Sequence, residues 1–224
     1  MGYNDKDRGV EYLKYQKEKI RIKKIINLLL NAYPESKCSL EYKTAFQLLV
    51  ATILSAQCTD KRVNLVTKKL FKDYPDPNSF DKISIKKLEK LIFSTGFYKN
   101  KAKSIFKAAE VIRKDYNGTV PNLINDLIKL PGVGRKTANV VLGTYYNIPS
   151  IVVDTHVTRI VNLLGFSNTK DAVKIEFALQ KIINEKYWVK FTHLTIDHGR
   201  KVCVANRPKC YDCCLSELCP SSNS

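Results

Sequence analysis

Apolar residues recur at helical spacing along almost the whole chain, and short breakers cut that pattern into helix-length pieces. Phe46, Leu49, Val50, Ile53 and Leu54 fall at i, i+3, i+4, i+7 and i+8, all on one helical face. Ala102, Ile105, Phe106 and Ala109 repeat the spacing, as do Ala138, Val141, Leu142 and Tyr145. Val157, Ile160, Val161 and Leu164 form another stripe, and so do Ile175, Ala178, Leu179, Ile182 and Ile183. Ile22, Ile25, Ile26 and Leu29 predict a helix near the start. Breakers such as Tyr74-Pro75-Asp76-Pro77-Asn78, Ser94-Thr95-Gly96, Asn117-Gly118-Thr119 and Ile148-Pro149-Ser150 leave about ten helices with short connections. The one extended run, Ile148 to Val153, is too short to found a sheet, so the expected fold is all-α. No internal repeat is visible, and the basic, charge-mixed first 20 residues read as a frayed arm.

A globule of 224 residues buries roughly 70% of the surface its unfolded chain exposes and needs no staple to fold. No stretch approaches the ~18 apolar residues of a membrane span. Met1 to Arg8 is polar, without the apolar stretch of a signal peptide, and Lys6 breaks the myristoylation pattern. A reducing cell interior is therefore expected, where seven cysteines argue for metal ligation or free thiols over disulfides. Lys and Arg number 38 against 21 Asp and Glu, a formal charge of +17. Polyanions are the natural partners, nucleic acid first and an anionic membrane second; the plain alternative is lysine used for solubility.

Three local patterns carry chemistry. Cys203, Cys210, Cys213 and Cys219 have six, two and five intervening residues, a thiolate set that suits zinc or an iron–sulfur cluster. Spacing alone leaves both open, and Cys214, beside Cys213, is a possible substitute ligand. Cys38 and Cys58 lie on helical patterns and read as small core residues. In Leu130-Pro131-Gly132-Val133-Gly134-Arg135-Lys136-Thr137-Ala138, an apolar helix carrying Leu123, Leu127 and Ile128 ends at the proline, two glycines flank Val133, and a second helix starts at once. Amides at the start of that helix, with its dipole, can hold a phosphate without a side chain. The run reads as a helix–hairpin–helix, which grips DNA backbone, against the alternative of a plain αα-corner. In Val152-Val153-Asp154-Thr155-His156-Val157, Asp154 is either a helix N-cap or a carboxylate held at a cleft edge, and His156 reads as packed or capping.

Together with Leu54-Ser55-Ala56-Gln57-Cys58-Thr59-Asp60 and with His198-Gly199-Arg200 running into the cysteines, these motifs resemble the endonuclease III branch of the helix–hairpin–helix base-excision DNA glycosylases. They stand in the family's order, and the resemblance extends from Ile20 to Cys219. The departures are Cys214, Cys58 beside Gln57, and a longer basic N-terminus. The resemblance implies a [4Fe–4S] cluster on Cys203, Cys210, Cys213 and Cys219. It implies Lys136 as nucleophile and Asp154 as its acidic partner. Relatives acting on adenine opposite oxidised guanine lack that lysine and use water, so Lys136 points to oxidised pyrimidines.

Extruding a nucleotide leaves a void, which Gln57 is implied to fill, while Phe97 stands where the family places an apolar wedge. A core aromatic is the alternative for Phe97. Gly132, Val133, Gly134 and Arg135 are expected on the DNA backbone. Arg200, Lys201, Arg207 and Lys209 around the cysteines offer a basic surface to phosphates. Two helical lobes are expected, one of six helices over 38–148 and one joining 1–37 to 149–224, with a partly buried Lys136 facing Asp154 across the boundary. The implied activity is a bifunctional glycosylase and abasic-site lyase, monomeric, on damaged double-stranded DNA. The alternatives are a monofunctional mismatch or adenine glycosylase and a non-catalytic iron–sulfur DNA-binding module.

Overall fold

The structure, a computed structural model, describes residues 5–222, with side chains from Tyr15 onward. Its helices are α1 (Asp5–Ala32), α2 (Ala45–Ser55), α3 (Asp60–Asp73), α4 (Ile85–Ile92), α5 (Tyr98–Asp115), α6 (Ile124–Leu127), α7 (Arg135–Thr144), α8 (Thr155–Leu163), α9 (Ala172–Ile182) and α10 (Trp188–Lys201). No strand occurs among the described residues. Residues 5–20 continue into α1 as one helix, so they are not the frayed arm that the charge pattern suggested. Of Met1 to Arg8, on which the signal-peptide and acylation readings rest, Met1 to Asn4 lie outside the described residues, and Asp5 to Arg8 begin α1. No helix among the described residues is long and apolar enough to cross a membrane.

The chain divides into two compact units, Cys38–Ser150 and Met1–Lys37 with Ile151–Ser224. The first is built around α2, whose residues Ala45 to Leu54 are all buried. A single stripe was expected there. The sequence Ala-Phe-Gln-Leu-Leu-Val-Ala-Thr-Ile-Leu is apolar all round except for Gln47 and Thr52, whose side chains are hydrogen-bonded to backbone, so the whole helix goes inside. Thr44 caps it, its hydroxyl accepting from the Gln47 amide at 3.2 Å. The helices α3, α5 and α7 pack on α2, and Phe80 stands edge-on to both Phe46 and Tyr74.

Three further expectations are corrected in this unit. The helix entering the glycine hairpin, α6, is one turn long. Of Leu123, Leu127 and Ile128 only Leu127 is buried, and Leu130 and Val133 anchor the turn instead. The stripe on α7 stops short of Tyr145, which lies beyond the helix end and is exposed. Cys38 and Cys58 are half-buried against the core but outside any helix.

In the second unit α10 packs on α8 and α1, and α1 on α9. Ile25, Leu29, Val157, Val161, Ile175, Leu179, Phe191 and Leu194 form its core, filling the stripes that the periodicity placed on α1, α8 and α9. Ile151, Val152 and Val153 are buried without strand pairing. Arg21 ties α1 to the C-terminal segment, donating to the Leu218 carbonyl at 2.8 Å and the Leu164 carbonyl at 2.7 Å while stacking over Phe166.

Candidate functional site

The two hairpin glycines are present for different reasons. Gly132 has φ +78, and a Cβ there would stand 2.5 Å from Ser104 Cβ on α5. Left-handed backbone and a close approach both demand glycine. The Val133 amide donates to the Leu130 carbonyl at 3.0 Å and closes the turn. Gly134 carries neither demand: its φ is −91, and a Cβ would meet nothing within 4 Å. It caps α7 without a side-chain hydrogen bond, where the helix dipole places partial positive charge.

Lys136 follows in the first turn of α7 and is exposed, not partly buried as expected, and Arg135 beside it is half-buried. Asp154 belongs to the other unit. Its Oδ1 accepts from the Val157 amide at 2.8 Å, so it is the N-cap of α8, and its side chain is half-buried. One oxygen in a cap does not remove a carboxylate from chemistry, since each oxygen has two lone pairs. His156 lies near the Arg159 guanidinium, 3.4 Å from Nδ1, and packs against the close approach of Gly199.

Gln57 and Phe97 are both exposed, and both adopt left-handed backbone, at φ 54 and φ 48. Phe97, at 64% exposure, is not a core aromatic. A large apolar side chain turned to solvent from a strained backbone is the kind of outlier that points to function.

Cys203, Cys210, Cys213 and Cys219 line one cavity of about 140 Å³, walled by apolar residues including Ile160, Leu163, Leu164 and Leu215. Cys214 is exposed and does not line it. Among the described residues no three His, Cys, Asp or Glu side chains converge closely enough to hold a single metal ion. Burial pushes the Cys203 and Cys213 thiols up, and neighbouring thiols push them further.

Tyr33 and Arg159, which brace this loop, escaped sequence reasoning, and His198 was legible only as part of a motif. His198 Nε2 lies 3.5 Å from Cys213 Sγ while its Nδ1 meets the Tyr33 hydroxyl at 3.0 Å. Burial brings the His198 pKa down to about 4 and takes that of Tyr33 up to about 12. Arg159 donates to the Cys203 carbonyl at 2.7 Å and the Gly199 carbonyl at 3.2 Å. Arg200, Lys201, Arg207 and Lys209 are exposed around the cysteines, with Lys201 lying over the Tyr33 ring.

Residues 50–185 match the family profile of the HhH-GPD superfamily base excision DNA repair protein, and that is the class to which the fold and its hairpin belong. Endonuclease III of Synechocystis sp. is 47% identical over 212 residues, covering 94% of this chain and 97% of that protein. A trapped Endonuclease III–DNA covalent intermediate, an estranged-adenine complex, superposes with a TM-score of 0.87 at 41% identity, covering 91% of this chain and 96% of the other. A non-covalent Endonuclease III–DNA complex gives 0.86 at 42% identity, with the same coverage. The chain belongs to the endonuclease III family.

Proposed function

We propose that this protein is a bifunctional DNA glycosylase and abasic-site lyase that removes oxidised pyrimidines from duplex DNA. The observation that carries the reading is an exposed lysine, Lys136, one residue into the helix behind the glycine hairpin, in a chain 41% identical to an Endonuclease III trapped covalently on DNA. A damaged base is unreachable inside the stack, so its nucleotide is extruded. The free amine of Lys136 attacks C1′ of the deoxyribose, and the bond from C1′ to the base nitrogen breaks with its electron pair leaving on the base. Asp154 accepts the proton lost by the amine and stabilises positive charge on the sugar. Ring opening gives an iminium ion between Lys136 and C1′. That ion acidifies the 2′ proton; its removal expels the 3′ phosphate oxygen and cuts the strand.

Gln57 fills the void left by the extruded nucleotide, and Phe97 wedges between the opposite bases. Gly132 to Arg135 hold the DNA backbone, and Arg200, Lys201, Arg207 and Lys209 meet phosphates. Cys203, Cys210, Cys213 and Cys219 hold a [4Fe–4S] cluster. Thiols spread around an apolar cavity suit a multi-atom cluster better than zinc, whose four bonds of about 2.3 Å draw the sulfurs onto one point. The cluster's contribution is structural: it joins four points of the C-terminal loop and so fixes the basic side chains beside it.

Duplexes carrying one defined lesion test this reading. Base release with strand cleavage is expected on thymine glycol and dihydrouracil. Base release without cleavage would favour a monofunctional enzyme, and binding without turnover a non-catalytic module.

The hairpin yields a second expected outcome. Gly132→Ala meets Ser104 and an unfavourable φ, so it lowers thermal stability by about 1–3 kcal/mol. Gly134→Ala meets nothing in the protein and loses no more than about 1 kcal/mol as a poorer cap of α7, yet its methyl group crowds the approaching phosphate and weakens DNA binding. Thermal melts paired with duplex-binding titrations at fixed salt separate the two; a Gly134→Ala protein that binds normally removes Gly134 from the interface.

A further inference from the structure

Lys101 falls on the apolar face of α5 with Ala102, Ile105, Ala108 and Ile112, and is only 6% exposed. Its Nζ donates to the backbone carbonyl of Leu54 at 2.9 Å and to that of Thr95 at 2.7 Å. Leu54 lies in the last turn of α2, three residues before Gln57. Thr95 ends the 3-10 turn Phe93–Thr95, two residues before Phe97. The Lys101 amide also donates to the Phe97 carbonyl at 3.1 Å. One residue is therefore bonded to both segments that lead into the exposed, left-handed Gln57 and Phe97.

A buried ammonium is an expensive way to satisfy two carbonyls. Removing a charge from water is costly, and burial here pulls the Lys101 pKa below its ordinary value, with Cys58 opposing the shift. The carbonyl at the end of α2 carries the negative end of a helix dipole and attracts a cation, but water or a glycine cap would satisfy each segment separately. A single nitrogen shared between them does what separate caps do not: it fixes the spacing of the two loops.

We propose that Lys101 is a positioning residue that holds the Gln57 and Phe97 loops in register, so that void filling and base wedging occur together. The inference rests on the roles proposed above for those two side chains. Both roles require an opposite strand. An abasic site in single-stranded DNA offers the same C1′ but no orphan base and no void.

The test is the ratio of borohydride-trapping rates on an abasic site in duplex and in single-stranded DNA, with the cluster-loaded, full-length protein. Lys101→Met removes both side-chain bonds at similar length and is expected to lower the duplex-to-single-strand ratio about tenfold, the scale of losing charge-assisted hydrogen bonds. Lys101→Arg, which keeps a multiply donating cation, recovers part of it. Lys101→Gln, whose uncharged amide is one atom shorter and lacks the ammonium, is read in the same way where the methionine variant fails to fold. Emission from 2-aminopurine opposite the site, raised when that base unstacks on binding, falls in parallel with the ratio. A merely structural lysine lowers both rates together and leaves the ratio unmoved; that result overturns the proposal. Gln57→Ala and Phe97→Ala are the controls. If they lower the ratio and Lys101→Met does not, Lys101 alone is misassigned. If neither control lowers it, the loop roles fall and the proposal falls with them.

Discussion

Lys136→Gln yields no protein–DNA adduct when borohydride is added to an abasic-site duplex, and its strand cleavage falls by at least ~10³-fold. Glutamine is polar and only one atom shorter than lysine, but it has no nucleophilic amine. Lys136 is exposed in the first turn of α7, so the replacement should change stability by no more than about 0.5 kcal/mol. Duplex binding should weaken only modestly, by one charge among many in a chain of net +17. Loss of trapping with folding and binding retained therefore isolates the chemistry from the scaffold. Asp154→Asn complements it. Asparagine caps a helix about as well as aspartate, so the Val157 amide keeps its partner and α8 its start. Turnover should nonetheless drop by about 10²–10⁴-fold, the usual span for a general acid–base group. An Asp154→Asn protein with near-normal turnover would reduce Asp154 to a cap.

The second large effect is expected at the cysteines. Cys213→Ser should abolish the broad visible absorption of an iron–sulfur cluster and lower stability by more than ~4 kcal/mol, the range reserved for losses such as a structural metal. Duplex affinity should fall with it, because Arg207 and Lys209 lose the frame that places them. Cys214→Ser should keep colour, stability and affinity, since that side chain is exposed and outside the cavity that the other four line. Colour retained in Cys213→Ser but lost in Cys214→Ser would reverse the ligand assignment. A colourless, stable native protein containing zinc would replace the cluster altogether.

How far the site could be read from the chain depended on how local each signal was. The hairpin with Lys136, the Asp154 segment and the cysteine spacing are each written in consecutive or closely spaced residues, and a linear pattern carries them. The helices were legible for the same reason, as stripes within single segments. What was missed depends on residues far apart in sequence. Lys101 reaches Leu54 across 47 positions, and Tyr33 meets His198 across 165. No periodicity reports such pairs, although a lysine in line with Ala102, Ile105 and Ile112 was a local sign that the α5 face was not purely apolar.

The one-turn α6 was overread because Leu123 and Ile128 look like core residues, yet Leu130 and Val133 take that place. Phe97 is the opposite case: composition favours burying a phenylalanine, the alternative kept for it, yet it stands exposed on left-handed backbone at the start of α5. Gly132 was legible as a turn glycine; that the neighbour pressed against it is Ser104 of α5 was not.

The most direct test of the covalent step is to locate the bond. The protein is trapped with borohydride on an abasic-site duplex, digested, and the nucleotide-bearing peptide sequenced by mass spectrometry. The expected result is a single reduced adduct on the side-chain nitrogen of Lys136. An adduct on any other residue, or efficient strand cleavage with no adduct at all, contradicts the account.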